Sequence, residues 1–223
     1  HTGTSRGRPD SVSVDGHDIV TREAGAEPMT PALLLDRDRL RANARRLAGH
    51  IASLGGVLRP HVKTHKCIEV ARDIVAAGHT RGITVSTLAE AEYFFAHGFD
   101  DIFYAVGIAP NKFMAAAQLL RRGCRLSLTP DSIAMARHLG AFAEAEGVFL
   151  PVIVELDTDG HRAGVDPGGA ALLEIGSVLQ ESRGTELLGV MTHAGESYAC
   201  DTPQARLAIA RQERDRTVQA AKR

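Results

Sequence analysis

No stretch of this sequence stays apolar for the roughly 18 to 20 residues that a bilayer crossing needs, and its first residues, HTGTSRGRPDSVSVDG, lack the hydrophobic centre of a signal peptide. A soluble, cytoplasmic protein is the expectation. Cysteine is scarce: Cys67, Cys124 and Cys200 are odd in number and far apart, which excludes a disulfide framework and a CxxC metal site and leaves reduced thiols with packing roles. Charge of either sign is not in excess, since 26 Lys and Arg face 27 Asp and Glu. No global field therefore draws in nucleic acid or an anionic membrane, and a small molecule is the expected partner. Nucleotide signatures are missing too, with no GxGxxG after the first strand and no GxxxxGK[ST] anywhere.

What is present is a repeated alternation. The 223 residues, 44% of them apolar, suit one sizeable core. Residues 1–27, rich in Gly, Ser, Thr, Asp and Arg, read as an irregular lead-in, and 28–223 as one domain. From Thr30 onward short β-type runs alternate with amphipathic segments: ALLLD (32–36) before a helix near 38–53, VLRPHVK (57–63) before one near 66–77, and GITVS (82–86) before one near 88–97. DIFYAV (101–106), RLSLT (125–129), PVIVEL (151–156) and LLGVMTH (187–193) continue the series. Repeated strand, helix and strand units predict an α/β fold on a parallel sheet. Thr87 with Glu90 forms a capping box, Thr202 with Pro203 a helix start, and Gly123 and Gly147 stand where helices stop. The chain opens without Met and stops at Arg223 inside a helical run, so a cut at both ends is expected.

Polar residues favour a barrel over a doubly wound sheet. Lys63, Ser86, Asp157 and His193 all fall at or just beyond C-terminal strand ends, the face on which a β/α barrel gathers its chemistry. Around Lys63 lie Arg59, His61, His65 and Lys66. Partial burial among cations would lower the lysine's pKa and yield the neutral amine that attacks a carbonyl. The same run also reads as a solvated strand end or a phosphate patch. Arg162, in the turn after PVIVELDTDG, is placed to donate to an oxyanion or ring substituent, or to pair with Asp157 or Asp159. His193, with Tyr198 five residues on, is either a catalytic imidazole or a satisfied core histidine.

In order, TPALLLDRDRL, LRPHVKTHK, ITVSTLAEAE, ELDTDGHRAGV and GVMTHAGESY resemble the D-threonine aldolase and D-serine dehydratase group, fold type III pyridoxal 5'-phosphate (PLP) enzymes related to the alanine racemase N-terminal domain. The likeness runs from about Thr30 to Tyr198. It implies a (β/α)8 barrel of the alanine racemase kind, incomplete here, with six barrel strands if ALLLD pairs with an absent C-terminal β domain. By the same resemblance Lys63 is the Schiff-base lysine and removes the substrate's α-proton. Arg162 approaches the phenolic oxygen, His193 packs against the pyridine ring, and Ser86 and Tyr198 line the cofactor pocket. The family tends to THAGHSY, whereas Glu196 stands here in place of the second histidine, which leaves substrate preference open. A divalent metal, Zn or Mn, is implied for the longer protein, its ligands outside this chain, together with a homodimer. The resemblance implies a lyase on D-β-hydroxy-amino acids, as dehydratase or aldolase. A racemase, a non-catalytic PLP carrier and an anion-binding barrel without PLP are the alternatives.

Overall fold

The computed structural model describes residues 11–14, 17–20, 30–31, 34–80 and 82–223. The chain forms two compact units, one from residues 1–60 and 67–81, the other from 61–66 and 82–223.

In the first unit β1 (Ser11–Val14) and β2 (His17–Val20) pair antiparallel, so part of the lead-in expected to be irregular is a hairpin. Two helices follow, α1 (Arg37–Ser53) and α2 (Ile68–Gly78), within a residue or two of the expected bounds. Asp36 caps α1 by accepting from the Arg39 N–H at 2.8 Å, and Asp73 on α2 receives the guanidinium groups of Arg37 and Arg41. The expected strand ALLLD is corrected: residues 32 and 33 lie outside the described residues, and 34–36 form no strand because the segment ends as a helix cap.

The second unit is a five-stranded parallel sheet in the order β3 (Ile83–Val85), β4 (Asp101–Gly107), β5 (Arg125–Thr129), β6 (Leu150–Leu156) and β7 (Thr185–Thr192). Helices α3 (Leu88–Ala96), α4 (Phe113–Arg121), α5 (Ile133–Glu146) and α6 (Ala170–Glu181) join successive strands, and α7 (Pro203–Ala221) follows β7. Strand order follows chain order without reversal. A doubly wound sheet would reverse at a switch point; continuous winding in one direction is the course of a barrel wall. The fold is therefore α/β, of the barrel type, with part of the barrel present.

Alternation within the strands sorts residues between two faces. Ile83, Val85, Ile102, Tyr104, Leu126, Leu128, Val152, Val154 and Leu156 are almost wholly buried, and each aliphatic among them contributes about 1.5–3 kcal/mol. Intervening positions are largely polar: Thr84, Ser127, Thr129 and Glu155. The helix starts are locally encoded as expected, with Thr87 Oγ1 accepting from Glu90 N–H at 3.0 Å and Thr202 Oγ1 from Ala205 N–H at 3.1 Å.

The expectation of a full strand at 57–63 is also corrected. Only an isolated parallel bridge, His61 to Thr84, and the bond from Val62 N–H to Thr84 O at 2.9 Å survive in its place. Pro60 has no N–H for a ladder, and the chain turns at once through Lys63–His65. Five barrel strands are thus present among the described residues, with that bridge where a sixth was expected. No helix among these residues is long and apolar enough to cross a membrane, and none of the three cysteines forms a disulfide. Burial and nearby carboxylates push the Cys124 thiol up to about 11, in keeping with a packing role.

Candidate functional site

The C-terminal strand ends of the second unit bring most of the expected residues together. Lys63 follows the His61 bridge, Ser86 follows β3, Asp157 follows β6 and His193 follows β7.

The two lysines of VKTHK differ in their surroundings. Lys66 is held by an ion pair with the buried Glu90, Nζ to Oε1 at 3.3 Å. Lys63 is exposed, and among the described residues its Nζ meets no hydrogen-bonding or ionic partner. The partial burial expected of Lys63 is therefore absent from this structure. The Lys63 charge instead acts on its neighbours, helping to hold both His61 and His193 below the ordinary imidazole value; for each of them burial is the larger cause.

Neutral histidines make the hydrogen bonds consistent. The Lys63 backbone N–H donates to His61 Nδ1 at 3.3 Å. A neutral His61 then carries its proton on Nε2 and donates to Ser86 Oγ, also at 3.3 Å. Ser86 is steadied from behind, its N–H donating to Glu90 Oε2 at 2.8 Å. Glu90 thus turns its carboxylate to Ser86 N–H and Lys66 rather than completing the reciprocal half of a capping box.

Across the site Arg162 Nη2 lies 3.2 Å from His193 Nδ1 and 3.3 Å from Nε2. A guanidinium can only donate, so His193 must offer a lone pair, which its lowered pKa permits. The loop that carries Arg162 folds back on its own strand: Val165 N–H donates to Glu155 O, and Asp157 N–H to Val165 O, each at 2.9 Å. Asp157 Oδ1 caps the turn by accepting from Gly160 N–H at 2.8 Å. From α7, Arg216 Nη1 donates to Thr158 O at 2.7 Å.

Tyr198 is not drawn into this cluster. It sits in a short 3-10 turn, Glu196–Ala199, with 83% of its surface exposed. Three participants were not among the expected site residues. His61 and Glu90 position Ser86. Glu155, only 4% exposed beneath Arg162's loop, has a carboxyl pushed up by burial and by the Asp131 charge, with Arg162 opposing the shift. An apolar strand ending in an acid was the signal for Glu155. Asp159, His161 and Glu196 place one ligand-type atom each within 4.8 Å of one another, but both Asp159 oxygens already accept backbone N–H groups.

Residues 35–223 match the family "Alanine racemase, N-terminal domain". The chain is 50% identical over 193 residues to D-threo-3-hydroxyaspartate dehydratase of Delftia sp. (strain HT23), covering 86% of this chain and 50% of that protein. With D-serine dehydratase of Dictyostelium discoideum it shares 34% over 189 residues, 78% of this chain and 47% of the relative. With D-threonine aldolase of Arthrobacter sp. it shares 30% over 186 residues, 82% and 48%. Among solved structures, the Delftia dehydratase superposes with a TM-score of 0.80 at 49% identity, over 83% of this chain and 48% of the other. An alanine racemase of Clostridium difficile 630, at 16% identity and a TM-score of 0.64, shares the fold. The chain spans about half the length of the curated relatives it matches.

Proposed function

This chain belongs to the alanine racemase N-terminal domain family, and from that premise we propose that it is the PLP-holding part of a lyase acting on D-β-hydroxy-amino acids. The observation that carries the reading is the unpaired amine of Lys63, set among His61, Ser86, Arg162 and His193 at one end of the sheet. A primary amine suits an aldehyde, and a guanidinium beside a neutral imidazole suits a phenolate and an aromatic ring, so this donor set fits the aldehyde and ring of PLP. When bound, PLP supplies an electron sink for the charge left at a substrate's α-carbon.

The residues themselves divide the remaining work. Lys63 Nζ would hold the cofactor through its aldehyde and would be the base placed to take the substrate's α-proton. Arg162 would set a fixed positive charge against the phenolic oxygen and so favour charge delocalised into the ring. His193, kept neutral, offers a flat ring face without adding a second cation. Ser86, fixed by His61 and Glu90, would donate its hydroxyl to the cofactor. Tyr198 belongs to the same proposal only if its turn swings inward.

The dehydratase outcome, with loss of the β-hydroxyl, is preferred to the aldolase outcome because the Delftia dehydratase is 50% identical whereas the Arthrobacter aldolase is 30% identical. A divalent cation, Zn or Mn, bound by residues beyond this chain would assist departure of the hydroxyl. A homodimer in the cytoplasm completes the proposal.

The test is the absorbance of the full-length protein with PLP before and after borohydride, followed by peptide mapping. A reducible band fixed on Lys63 is expected, with turnover of D-serine or D-threo-3-hydroxyaspartate on addition of Zn or Mn. Fixation on another lysine, or none, would overturn the reading.

A further inference from the structure

Arg162 and His193 come from different connections, residues 157–165 after β6 and residues 193–202 after β7. One side chain ties these connections together near their tips. Asp159 Oδ2 accepts from Gly195 N–H at 2.7 Å and from Glu196 N–H at 2.9 Å, while its Oδ1 accepts from His161 N–H at 3.2 Å. Two successive amides converging on one oxygen make a small anion-binding hook. Here the hook is filled by a carboxylate from the same protein. Asp159 stands three residues before Arg162, and Gly195 two residues after His193, so the tie spans the arginine–histidine pair.

The stem of Arg162 runs across the same place. A side chain added at Gly195 would put its Cβ 3.1 Å from Arg162 Cδ. Fixing Gly195 therefore fixes the ledge over which Arg162 reaches His193. Beneath, Thr192 Oγ1 donates to Leu156 O at 3.0 Å and accepts from Thr158 Oγ1 at 2.9 Å, so the roots of both connections are already joined. Without Asp159 those roots would stay paired while the tips carrying the guanidinium and imidazole came apart.

We propose that Asp159 is a positioning residue for the cofactor site, a clasp whose hydrogen bonds to Gly195 and Glu196 hold Arg162 against His193. The inference rests on the reading that this site holds PLP. It assigns Asp159 no contact with substrate or cofactor. The two connections are aligned before ligand arrives, which spares the site the cost of ordering them during binding.

The experiment uses the full-length protein and the Asp159→Ala and Asp159→Asn variants. PLP uptake by the wild type, with borohydride fixation on Lys63, is read first; its failure sinks the reading of the site and leaves the clasp without a cofactor to align. Given that uptake, Asp159→Ala is expected to hold PLP on Lys63 more weakly, with a shifted absorbance band and an altered pH profile of that band. Its kcat should fall on the order of a hundredfold, the cost of misplacing a group by about 1 Å. Asp159→Asn, whose amide oxygen still accepts both N–H groups, should restore the wild-type band. In wild-type apoprotein, the Gly195 and Glu196 amides should be protected from hydrogen exchange, a measurement that stands even where Asp159→Ala fails to fold. An Asp159→Ala protein with wild-type band and pH profile, an Asp159→Asn protein no better than the Ala variant, or unprotected amides in the wild type would each overturn the proposal.

Discussion

Gly164→Ala tests whether the loop carrying Arg162 is seated by close packing on its own strand. Gly164 has φ +113°, and a Cβ there would lie 2.6 Å from Leu156 C, 2.8 Å from Asp157 N and 2.8 Å from Glu155 O. All three are backbone atoms, so no flexible side chain can move aside. The φ costs about 1–3 kcal/mol for any other residue, and forcing a methyl into filled space costs about 1–3 kcal/mol more. A loss of roughly 4 kcal/mol corresponds to about 8–16 °C in melting temperature for a chain of this size. Gly160→Ala is the control. It lies in the same loop at φ +78°, but no atom stands within 4 Å of its Cβ, so only the left-handed backbone cost of about 1–2 kcal/mol applies. Melting curves of both variants give the comparison, with PLP binding as the second readout because Arg162 is two residues away. If Gly164→Ala melts no lower than Gly160→Ala, close packing at Gly164 does not hold the loop.

Other outcomes follow from particular groups. Glu155→Gln should raise the melting temperature at pH 7–8 and change it little below pH 4: a carboxyl whose folded pKa is raised from 4.5 contributes stability below its unfolded value and loses it as pH rises through the folded value. A difference independent of pH would refute that account. Thr87→Ala removes the hydroxyl that caps α3 and should cost about 1 kcal/mol by urea denaturation, with the placement of Ser86 loosened beside it. The clasp itself should survive mild acid. Asp159 is held down to about 2 by the N–H groups of Gly195, Glu196 and His161, so its contribution, present above its ordinary value of 3.8, is lost only as pH falls through about 2. Exchange of the Gly195 amide at pH 4 and pH 7 checks this, with Glu196, His161 and the nearby Glu213 titrated alongside; loss of protection already at pH 4 would contradict it.

Much of the architecture is written in short-range pattern. Alternating strand and helix periods located β3 to β7 and the helices between them, because burial of one face repeats every two or every 3.6 residues within a single element. Thr87 and Thr202 were legible for the same reason, as a cap bonds an N–H only three residues ahead. Lys63, Ser86, Asp157 and His193 could be placed at or just beyond strand ends from their positions in those periods, and Arg162 in the turn that follows. What failed was also local in appearance but tertiary in cause. VLRPHVK has the composition of a strand, yet Pro60 and the turn at Lys63 leave one bridge to Thr84, and ALLLD gives way to the cap at Asp36. The neutral states of His61 and His193 depend on burial and on charges brought from distant strands. Asp159 meets Gly195 across 36 residues. Periodicity determines which face of an element is buried; only the packed sheet decides which loop tips meet, because those bonds form between groups that no local period relates.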